Sequence, residues 1–219
     1  HQPDMPPAYH FPASLKEKIL VDFVNVNAGF EYNKRAMGAL SKHEVLDGFK
    51  KLCAQGAESI AVVGCFSPLY AEQELEVLNI IEEVANQKLS VCLSHQIGGL
   101  GFLNRENNTI LNACLQGSLS DELLNLQKQI HQLGFVAPLF ITQNNGCLMT
   151  LEEALEFPIK TIASGPTNSL IGACKLAGLN QAVIVDIGGT STDIGVVENG
   201  FPRYSFESAK IAGIQTDYM

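Results

Sequence analysis

The chain has few basic residues and no long apolar run. Of its 219 residues, 14 are Lys or Arg and 23 are Asp or Glu, which gives a net charge of −9. Binding to a nucleic acid backbone needs clustered Lys and Arg, so no nucleic acid partner is expected. No apolar stretch approaches the roughly 18 residues that span a bilayer, and the start carries no signal-peptide pattern. We therefore expect a cytoplasmic protein with no membrane contact.

Paired cysteines and the two best-known phosphate motifs are also absent. The six cysteines are irregularly spaced without Cys-x-x-Cys, which predicts reduced thiols. The sequence has no Gly-x-x-x-x-Gly-Lys-Ser/Thr pattern of a P-loop. No Gly-x-Gly-x-x-Gly turn that opens a helix follows an apolar strand, as a dinucleotide-binding fold requires. Neither of these nucleotide-binding classes is expected.

The most informative segment covers residues 185–194. A β-branched strand ends at Asp186, Gly188 and Gly189 follow, and three hydroxyl residues at 190–192 lead into a second apolar run. Glycine can adopt positive φ and turn its N–H toward an anion, hydroxyls can donate to phosphate, and a carboxylate can bind Mg²⁺. The segment predicts a phosphate-binding hairpin between antiparallel strands. The alternative is an ordinary Gly-Gly hairpin whose polar side chains bind no ligand.

Hydrophobic periodicity predicts a βαβ unit in the first half of the chain. Residues 59–66 have the pattern of a buried strand, 71–85 that of a helix with Leu75 facing inward, and 89–93 that of a second strand. Residues 21–26 alternate between apolar and polar side chains, which predicts a further strand. Strands that alternate with helices indicate an α/β fold with a parallel sheet and covering helices.

In the second half of the chain, short polar turns separate the predicted helices and strands. Gly117-Ser118 interrupts a helical pattern, so we place a domain boundary at residue 117 and predict domains 1–117 and 118–219. An apolar strand at 138–142 runs into an amide-rich turn at 143–146. A small polar segment at 164–168 precedes an apolar helix, whose start could attract an anion. Most helix starts bind nothing, and amide-rich turns often satisfy only their own backbone.

Four segments together resemble the A-type subunit of hydantoinases and 5-oxoprolinases, a family that includes the β-subunit of acetone carboxylase. These segments are Arg105 with 109–113, 138–146, 163–166 with 172–173, and 186–193. The resemblance implies the α/β fold of actin, heat-shock ATPases and sugar kinases, with ribonuclease H-like mixed sheets. It implies that the chain is an internal fragment. Residues 1–117 would end the N-terminal lobe, and 118–219 would begin the hydantoinase A lobe of an incomplete two-lobe architecture.

The resemblance also implies an activity. ATP with Mg²⁺ would phosphorylate the oxygen of a cyclic amide, and the activated lactam or hydantoin ring would then open to water. The isolated fragment is expected to be inactive. A small-molecule kinase of the same superfamily is one alternative. A non-catalytic nucleotide-binding module is another, because Asn168, Ser169 and Cys147 depart from the glycines that the family usually carries.

The resemblance and the chemistry of the side chains together indicate roles for particular residues. The metal ligand would be Asp186, and the catalytic group would be Asp186, Asp193 and His95. The nucleotide-binding group would be Gly188, Gly189, Thr190, Ser191, Thr192, Ser164 and Gly165. The substrate-binding group would be Gln143, Asn144, Asn145 and Arg105. For His95 and Arg105, a purely structural role is the alternative, because lone His and helix-start Arg residues commonly have one.

The expected partners follow from the same assignment. A small cyclic amide would be the substrate, and a second subunit of the hydantoinase type is a candidate protein partner. The chain could also form a homo-oligomer. The sequence does not identify the cyclic amide that is hydrolysed or the polypeptide on either side of this chain.

Overall fold

The computed structural model describes residues 5–85, 89–203 and 209–217, and the chain has a mixed α/β fold. The helices are Ala13–Ile19 (α1), Lys42–Ala54 (α2), Glu72–Glu82 (α3), Phe102–Gln132 (α4), Leu151–Glu156 (α5) and Ser164–Ala177 (α6). The strands are Ser59–Val62 (β1), Ser90–Leu93 (β2), Phe140–Thr142 (β3), Leu148–Thr150 (β4), Ala182–Ile187 (β5), Thr192–Glu198 (β6), Phe201–Pro202 (β7), Ala209–Ile211 (β8) and Ile214–Thr216 (β9).

The described residues form two compact units. Unit 1 contains residues up to 118 together with 210–217, and unit 2 contains residues 119–209. The point of division lies within α4, after Ser118. The assignment of 1–117 and 118–219 to two family lobes stays a prediction.

Unit 1 contains the βαβ arrangement that its periodicity predicts. β1 and β2 pair in parallel, with Ser59 opposite Ser90 and Val62 opposite Leu93. Helix α3 connects them and packs against α2. Val45, Ile80 and Ile81 form the buried core between these helices. Burying such side chains stabilises the unit by roughly 1.5–3 kcal/mol each.

Two local expectations for unit 1 are wrong. Residues 21–26 form no strand, and the short bridge nearby joins Phe30 to Ala36. Leu75 is 43% exposed, whereas its neighbour Glu74 is 2% exposed. The alternation at 21–26 has no strand partner among the described residues, so pairing does not fix it as a strand.

The expected break at Gly117-Ser118 is also wrong, because α4 continues through it for 31 residues. Gly117 has open space around its Cα. A glycine in a helix interior costs about 1 kcal/mol relative to alanine. That cost is small compared with the burial of the first half of α4, where residues 105–113 are all buried.

Unit 2 begins with the C-terminal part of α4 and a short hairpin. β3 and β4 pair antiparallel, with Phe140 opposite Thr150. The spacing of Thr150 and Glu153 predicts a capping box, and the structure confirms it at the start of α5, where each side chain accepts a hydrogen bond from the other residue's backbone N–H. Leu123, Met149, Leu151 and Ala154 form the buried core here.

The second sheet of unit 2 has the order β5-β6-β7, and both pairings are antiparallel. Asn-Gly between two apolar runs predicts a hairpin followed by a third antiparallel strand over 201–206. Asn199 and Gly200 both have the positive φ that such a two-residue turn requires, so the turn is confirmed. The third strand covers Phe201–Pro202, and residues 204–208 lie outside the described part.

One face of the β5–β6 ribbon is apolar and exposed. Val183, Val185, Ile187 and Ile194 are between 53% and 77% exposed, and Val196 lies beside them at 36%. The opposite face packs against α6. Among the described residues, β5 has no strand on its outer edge.

Within the described residues, no helix has the length and apolar character to cross a membrane.

Candidate functional site

The glycine turn at 188–191 connects two paired strands, as predicted. β5 and β6 pair from Ala182–Val197 to Ile187–Thr192, and the N–H of Gly188 donates to Ser191 O at 2.9 Å. The turn is therefore followed by an antiparallel strand. Residues 187–192 are all exposed, so their backbone is open to an incoming molecule.

The backbone of this turn differs from the expectation in one respect. Neither Gly188 nor Gly189 has the positive φ that their sequence context suggested. Gly188 is instead constrained by space, because a Cβ there would lie 3.2 Å from Ser191 O. A Cβ on Gly189 would meet nothing within 4 Å. Position 188 requires glycine because the turn leaves too little space for a side chain. At Gly189 the space around the backbone is open, so a ligand can approach it there.

Asp186 and Asp193 are directly opposed across the two strands. Both are partly buried, and they alternate with exposed neighbours on each strand. Asp193 lies on the same face as Gly195, which packs against Leu170 of α6. The two carboxylates therefore share the face toward α6. Like charges directly opposed on a sheet are unfavourable, and a divalent cation between them would remove the repulsion.

The start of α6 lies at the same end of unit 2 as the glycine turn. Only residues 178–181 connect α6 to β5, and the two elements pack together, so they run in opposite directions. Ala163, at the N-cap, has a left-handed conformation with φ 61°, and no side chain of the described residues caps the helix. Uncapped first-turn N–H groups, at Ser164 and Gly165, carry the positive end of the helix dipole.

The amide-rich turn is held against the same helix start. The Thr167 hydroxyl donates to Asn144 O at 2.7 Å. Gly146, with φ 83°, is so close to α6 that a Cβ would lie 2.5 Å from Ile171 Cδ1. The structure thus brings residues 143–146, 164–165 and 188–192 to one end of unit 2. These segments were predicted separately from the sequence.

Part of the amide-rich turn at 143–146 forms hydrogen bonds to backbone groups of the turn itself and its neighbours. The Asn145 side-chain oxygen accepts from the Cys147 N–H at 2.8 Å, and the Asn144 N–H donates to Lys160 O at 2.8 Å. Gln143 bonds Cys147 and Gly146 through its backbone. The side chains of Gln143 and Asn144 are partly exposed and retain the donors and acceptors that an amide ring would need.

Arg105 and His95 lie in unit 1. Arg105 is fully buried, and its guanidinium donates to Gly64 O at 2.6 Å, Gly99 O at 2.7 Å and Ser94 Oγ at 3.1 Å. Desolvation lowers its pKa from the ordinary value, and the nearby Glu74 acts in the opposite direction. These contacts give Arg105 a structural role, and its contact with substrate stays a prediction.

The structure pairs His95 with a residue that the sequence interpretation missed. Nδ1 of His95 lies 2.7 Å from Glu74 Oε2, and the His95 backbone N–H donates to the same oxygen at 3.0 Å. The other oxygen, Oε1, accepts from Ser94 Oγ at 2.6 Å and from the Gly64 N–H at 2.7 Å. A signal existed in the sequence, because Glu74 lies on the same helical face as Leu78 and Ile81.

Together, the fold and the site define a mixed α/β chain with an exposed glycine hairpin beside an opposed carboxylate pair. The hydantoinase/oxoprolinase family model matches residues 105–219, and the model of its N-terminal region matches residues 5–85. The chain belongs to the hydantoinase/oxoprolinase family, which confirms the resemblance of its four segments.

Curated relatives are distant and much longer. Caprolactamase subunit alpha of Pseudomonas jessenii is 24% identical over 187 residues, which cover 84% of this chain and 26% of that protein. An uncharacterised protein of Methanocaldococcus jannaschii is 28% identical over 106 residues, which cover 47% of this chain and 16% of that protein. The chain thus spans about a quarter of the first relative's length and less of the second's.

Two solved structures share the fold. Nucleotide-free acetone carboxylase superposes with a TM-score of 0.71 at 22% identity, covering 88% of this chain and 28% of the other. ATP-dependent caprolactamase from Pseudomonas jessenii superposes with a TM-score of 0.71 at 19% identity, covering 90% of this chain and 28% of the other. At these identities the likeness establishes the fold alone.

Proposed function

We propose that this chain forms part of an ATP-dependent hydrolase of cyclic amides. An unactivated ring amide is a poor electrophile, and transfer of a phosphoryl group from ATP to its oxygen makes the carbon reactive toward water. The family membership and the ATP-dependent caprolactamase among the similar structures support this assignment. The full actin-like, two-lobe architecture belongs to the same proposal.

The observation that carries the proposal is the opposed pair Asp186–Asp193 at the base of an exposed turn. Two carboxylates offer hard oxygen ligands, which suit Mg²⁺ and its bound water. Asp186 would hold the ion, and Asp193 would orient its water shell. The hydroxyls beyond Gly189 would then face the phosphate groups.

The remaining roles follow from position. Gly188 and Gly189 would let phosphate approach the backbone, and Thr190, Ser191 and Thr192 would donate from their hydroxyls. The first-turn amides of Ser164 and Gly165 would add a second anion contact. Gln143, Asn144, Asn145 and Arg105 are the proposed substrate contacts, of which Gln143 and Asn144 have partly exposed side chains. His95 is the proposed proton carrier, and a second hydantoinase-type subunit is the proposed protein partner.

Thermal unfolding with Mg-ATP tests the nucleotide site. A ligand that binds only the folded state at about 100 times its Kd adds about 2.7 kcal/mol to stability, so Mg-ATP should raise Tm. Asp186→Asn and Asp193→Asn should remove most of that rise. Asp121→Asn, on an exposed part of α4, is the matched control and should keep it. An equal rise in all four proteins would contradict the proposed site.

Product analysis tests the reaction. Incubation with ATP and a lactam, a hydantoin or 5-oxoproline should yield the ring-opened acid and free phosphate wherever the complete set of partners is present. A stable phosphate ester would identify a kinase instead. Mg-ATP binding without substrate-stimulated hydrolysis would identify a non-catalytic module, the role that Asn168, Ser169 and Cys147 would allow.

A further inference from the structure

A buried carboxylate and a histidine form a pair in unit 1 that the nucleotide site does not include. Glu74 is 2% exposed by side chain, and His95 is 17% exposed. All four groups that contact the Glu74 carboxylate are donors or able to donate: the Gly64 and His95 N–H groups, the Ser94 hydroxyl and His95 Nδ1. A buried carboxylate with this many donors has a fixed orientation.

The pair is held from a second side by Arg105. The Arg105 Nε donates to Ser94 Oγ at 3.1 Å, and that hydroxyl donates to Glu74. Ser67 Oγ lies 3.0 Å from Ser94 Oγ within the same buried group. The ionisable groups around Arg105 also include the Cys65 thiol, whose pKa is raised by burial, and the carboxyls of Glu106 and Asp217. The positive charge of Arg105 balances the carboxylate, so Glu74 is not an isolated buried charge.

The contact fixes the chemical form of His95. An ionised carboxylate only accepts hydrogen bonds, so Nδ1 must carry the proton that it donates to Glu74. The other nitrogen, Nε2, then has a free lone pair in the neutral ring. Among the described residues, Nε2 has no hydrogen-bond partner. The His95 side chain is 17% exposed, so part of the ring contacts solvent.

We infer that Glu74 is the positioning residue of a proton-transfer pair in which His95 Nε2 is the proton acceptor. Glu74 fixes the tautomer and ring orientation of His95 and stabilises the imidazolium once a proton arrives. The substrate of this step is a water molecule. A positioned base of this kind typically accelerates a proton-transfer step by about 10²- to 10⁴-fold.

The use of this pair in ring opening rests on the proposed function. A water O–H bond breaks, its proton joins Nε2, and the water oxygen bonds to the carbon of the phosphorylated ring amide. The C=N electron pair moves to the ring nitrogen, which then takes the proton from Nε2. The adduct's hydroxyl proton next passes through Nε2 to the same nitrogen as the C=O bond forms and the ring C–N bond breaks, which leaves an amine and an acyl phosphate. A second water molecule hydrolyses the acyl phosphate to the ring-opened acid and free phosphate, neutral His95 is regenerated, and no oxidant is needed.

The first test needs no activity. We would label the histidines of the 219-residue chain with ¹⁵N and determine the tautomer of neutral His95 by NMR, using His43→Asn to assign the exposed His43 signal. We expect about nine-tenths or more of the Nδ1–H form, opposite to the Nε2–H form that histidine favours in water. A dominant Nε2–H form in the unaltered protein would overturn the inference.

Two variants separate positioning from a merely structural role. Glu74→Gln should shift His95 toward mixed tautomers, while Glu74→Asp should retain much of the Nδ1–H form. Glu72→Gln on the same helix, where Glu72 pairs with the exposed Lys34 at 2.5 Å, should leave the His95 spectrum unchanged. An unchanged spectrum in folded Glu74→Gln would also overturn the inference. If Glu74→Gln does not fold, the tautomer of His95 in the unaltered protein still tests the inference.

Acylation of Nε2 by diethyl pyrocarbonate adds a reactivity measurement. His95 should be modified at Nε2, and Glu74→Gln should slow the reaction by about 2- to 4-fold, because the fraction of rings with an unprotonated Nε2 falls as the tautomers become mixed. Failure of Mg-ATP to bind unit 2 would contradict the proposed function and leave these results intact. An Nδ1–H tautomer with no acylation at Nε2 would overturn the role of Nε2 as acceptor.

Discussion

Leu170 of α6 packs directly on the Cα of Gly195 in β6, in a space where a Cβ would overlap both of its methyl carbons. This contact sets the separation between α6 and the sheet that carries Asp186 and Asp193. We expect Gly195→Ala to destabilise the protein by roughly 1–3 kcal/mol, because an added methyl group must displace Leu170.

Gly172→Ala is the matched control, since a Cβ at this position of α6 meets nothing within 4 Å. It should stabilise the helix by about 0.5–1 kcal/mol. Urea unfolding of both variants measures the difference. Equal effects of the two substitutions would show that the space at Gly195 does not constrain α6.

Charge repulsion between Asp186 and Asp193 gives a metal-dependent prediction. Without divalent cations, Asp193→Asn should stabilise the fold by roughly 0.2–1 kcal/mol, because it removes a like-charge pair across the strands. Added Mg²⁺ should stabilise the original protein more than the variant and so reverse the order. Thermal unfolding with EDTA and with Mg²⁺ checks this. The same difference under both conditions would argue against a cation at the pair.

Arg105 provides a test of its structural role. Arg105→Met should lower the free energy of unfolding by roughly 2–5 kcal/mol, because three acceptors lose their donor in the interior. The exposed Arg35, paired with Glu31, gives the control, and Arg35→Met should leave Tm nearly unchanged. Retained stability with lost substrate binding would instead favour the substrate contact predicted for Arg105.

Glu106 gives a pH dependence with a defined sign. Burial raises its pKa above the ordinary value of 4.5, although the Ala8 N–H and Lys16 act against the shift. The unfolded chain therefore loses this proton at lower pH than the folded chain. Protonated Glu106 therefore contributes its full share of the folding stability below about pH 4.5. This share is lost as the pH rises through the pKa of Glu106 in the folded state, and the free energy of unfolding falls by at most about 1.4 kcal/mol per pH unit.

Glu106→Gln removes this titration. Relative to the original protein, the variant should gain stability as pH rises from about 4 to 7, measured by urea unfolding at each pH. Glu76→Gln, at an exposed site on α3, should show no such trend. A difference between Glu106→Gln and the original protein that is constant with pH would contradict the prediction.

The six free cysteines should fall into two groups by reactivity. Cys53 and Cys147 are exposed, Cys92 and Cys174 are buried, and burial raises the pKa of Cys65 and Cys114. Under native conditions at pH 8, two thiols should react with a maleimide at least about 10-fold faster than the other four. Mass spectrometry of timed samples identifies the modified residues. Rapid modification of Cys65, which is partly buried, would contradict the prediction.

The sequence predicted those features that depend on short-range chemistry. The Asn199-Gly200 turn requires two positive φ values, and the capping box at Thr150 requires only residues three apart. The antiparallel strands around Gly188 follow from a β-branched run on each side of a tight turn. Such signals lie within a few residues of one another, so the sequence alone contains them.

The remaining features depend on residues far apart in the chain. Glu74 is buried because Ser94 and His95, 20 and 21 positions later, donate hydrogen bonds to it. Arg105, 31 positions later, adds a positive charge nearby. The helix through Gly117 persists because burial over 105–113 outweighs a local propensity. The three polar segments of unit 2 converge because α6 and β5 run antiparallel. The periodicity of apolar residues within a segment does not indicate these contacts, because they join residues far apart in the chain.

The apolar side of the β5–β6 ribbon has a practical consequence for handling the protein. Contiguous exposed Val and Ile side chains, beside a strand edge that has no partner among the described residues, favour aggregation. Purification at low concentration, with a mild detergent or a charged solubility tag, addresses this surface directly. A lysine in place of Val185 or Ile194 would interrupt it without touching the carboxylate side.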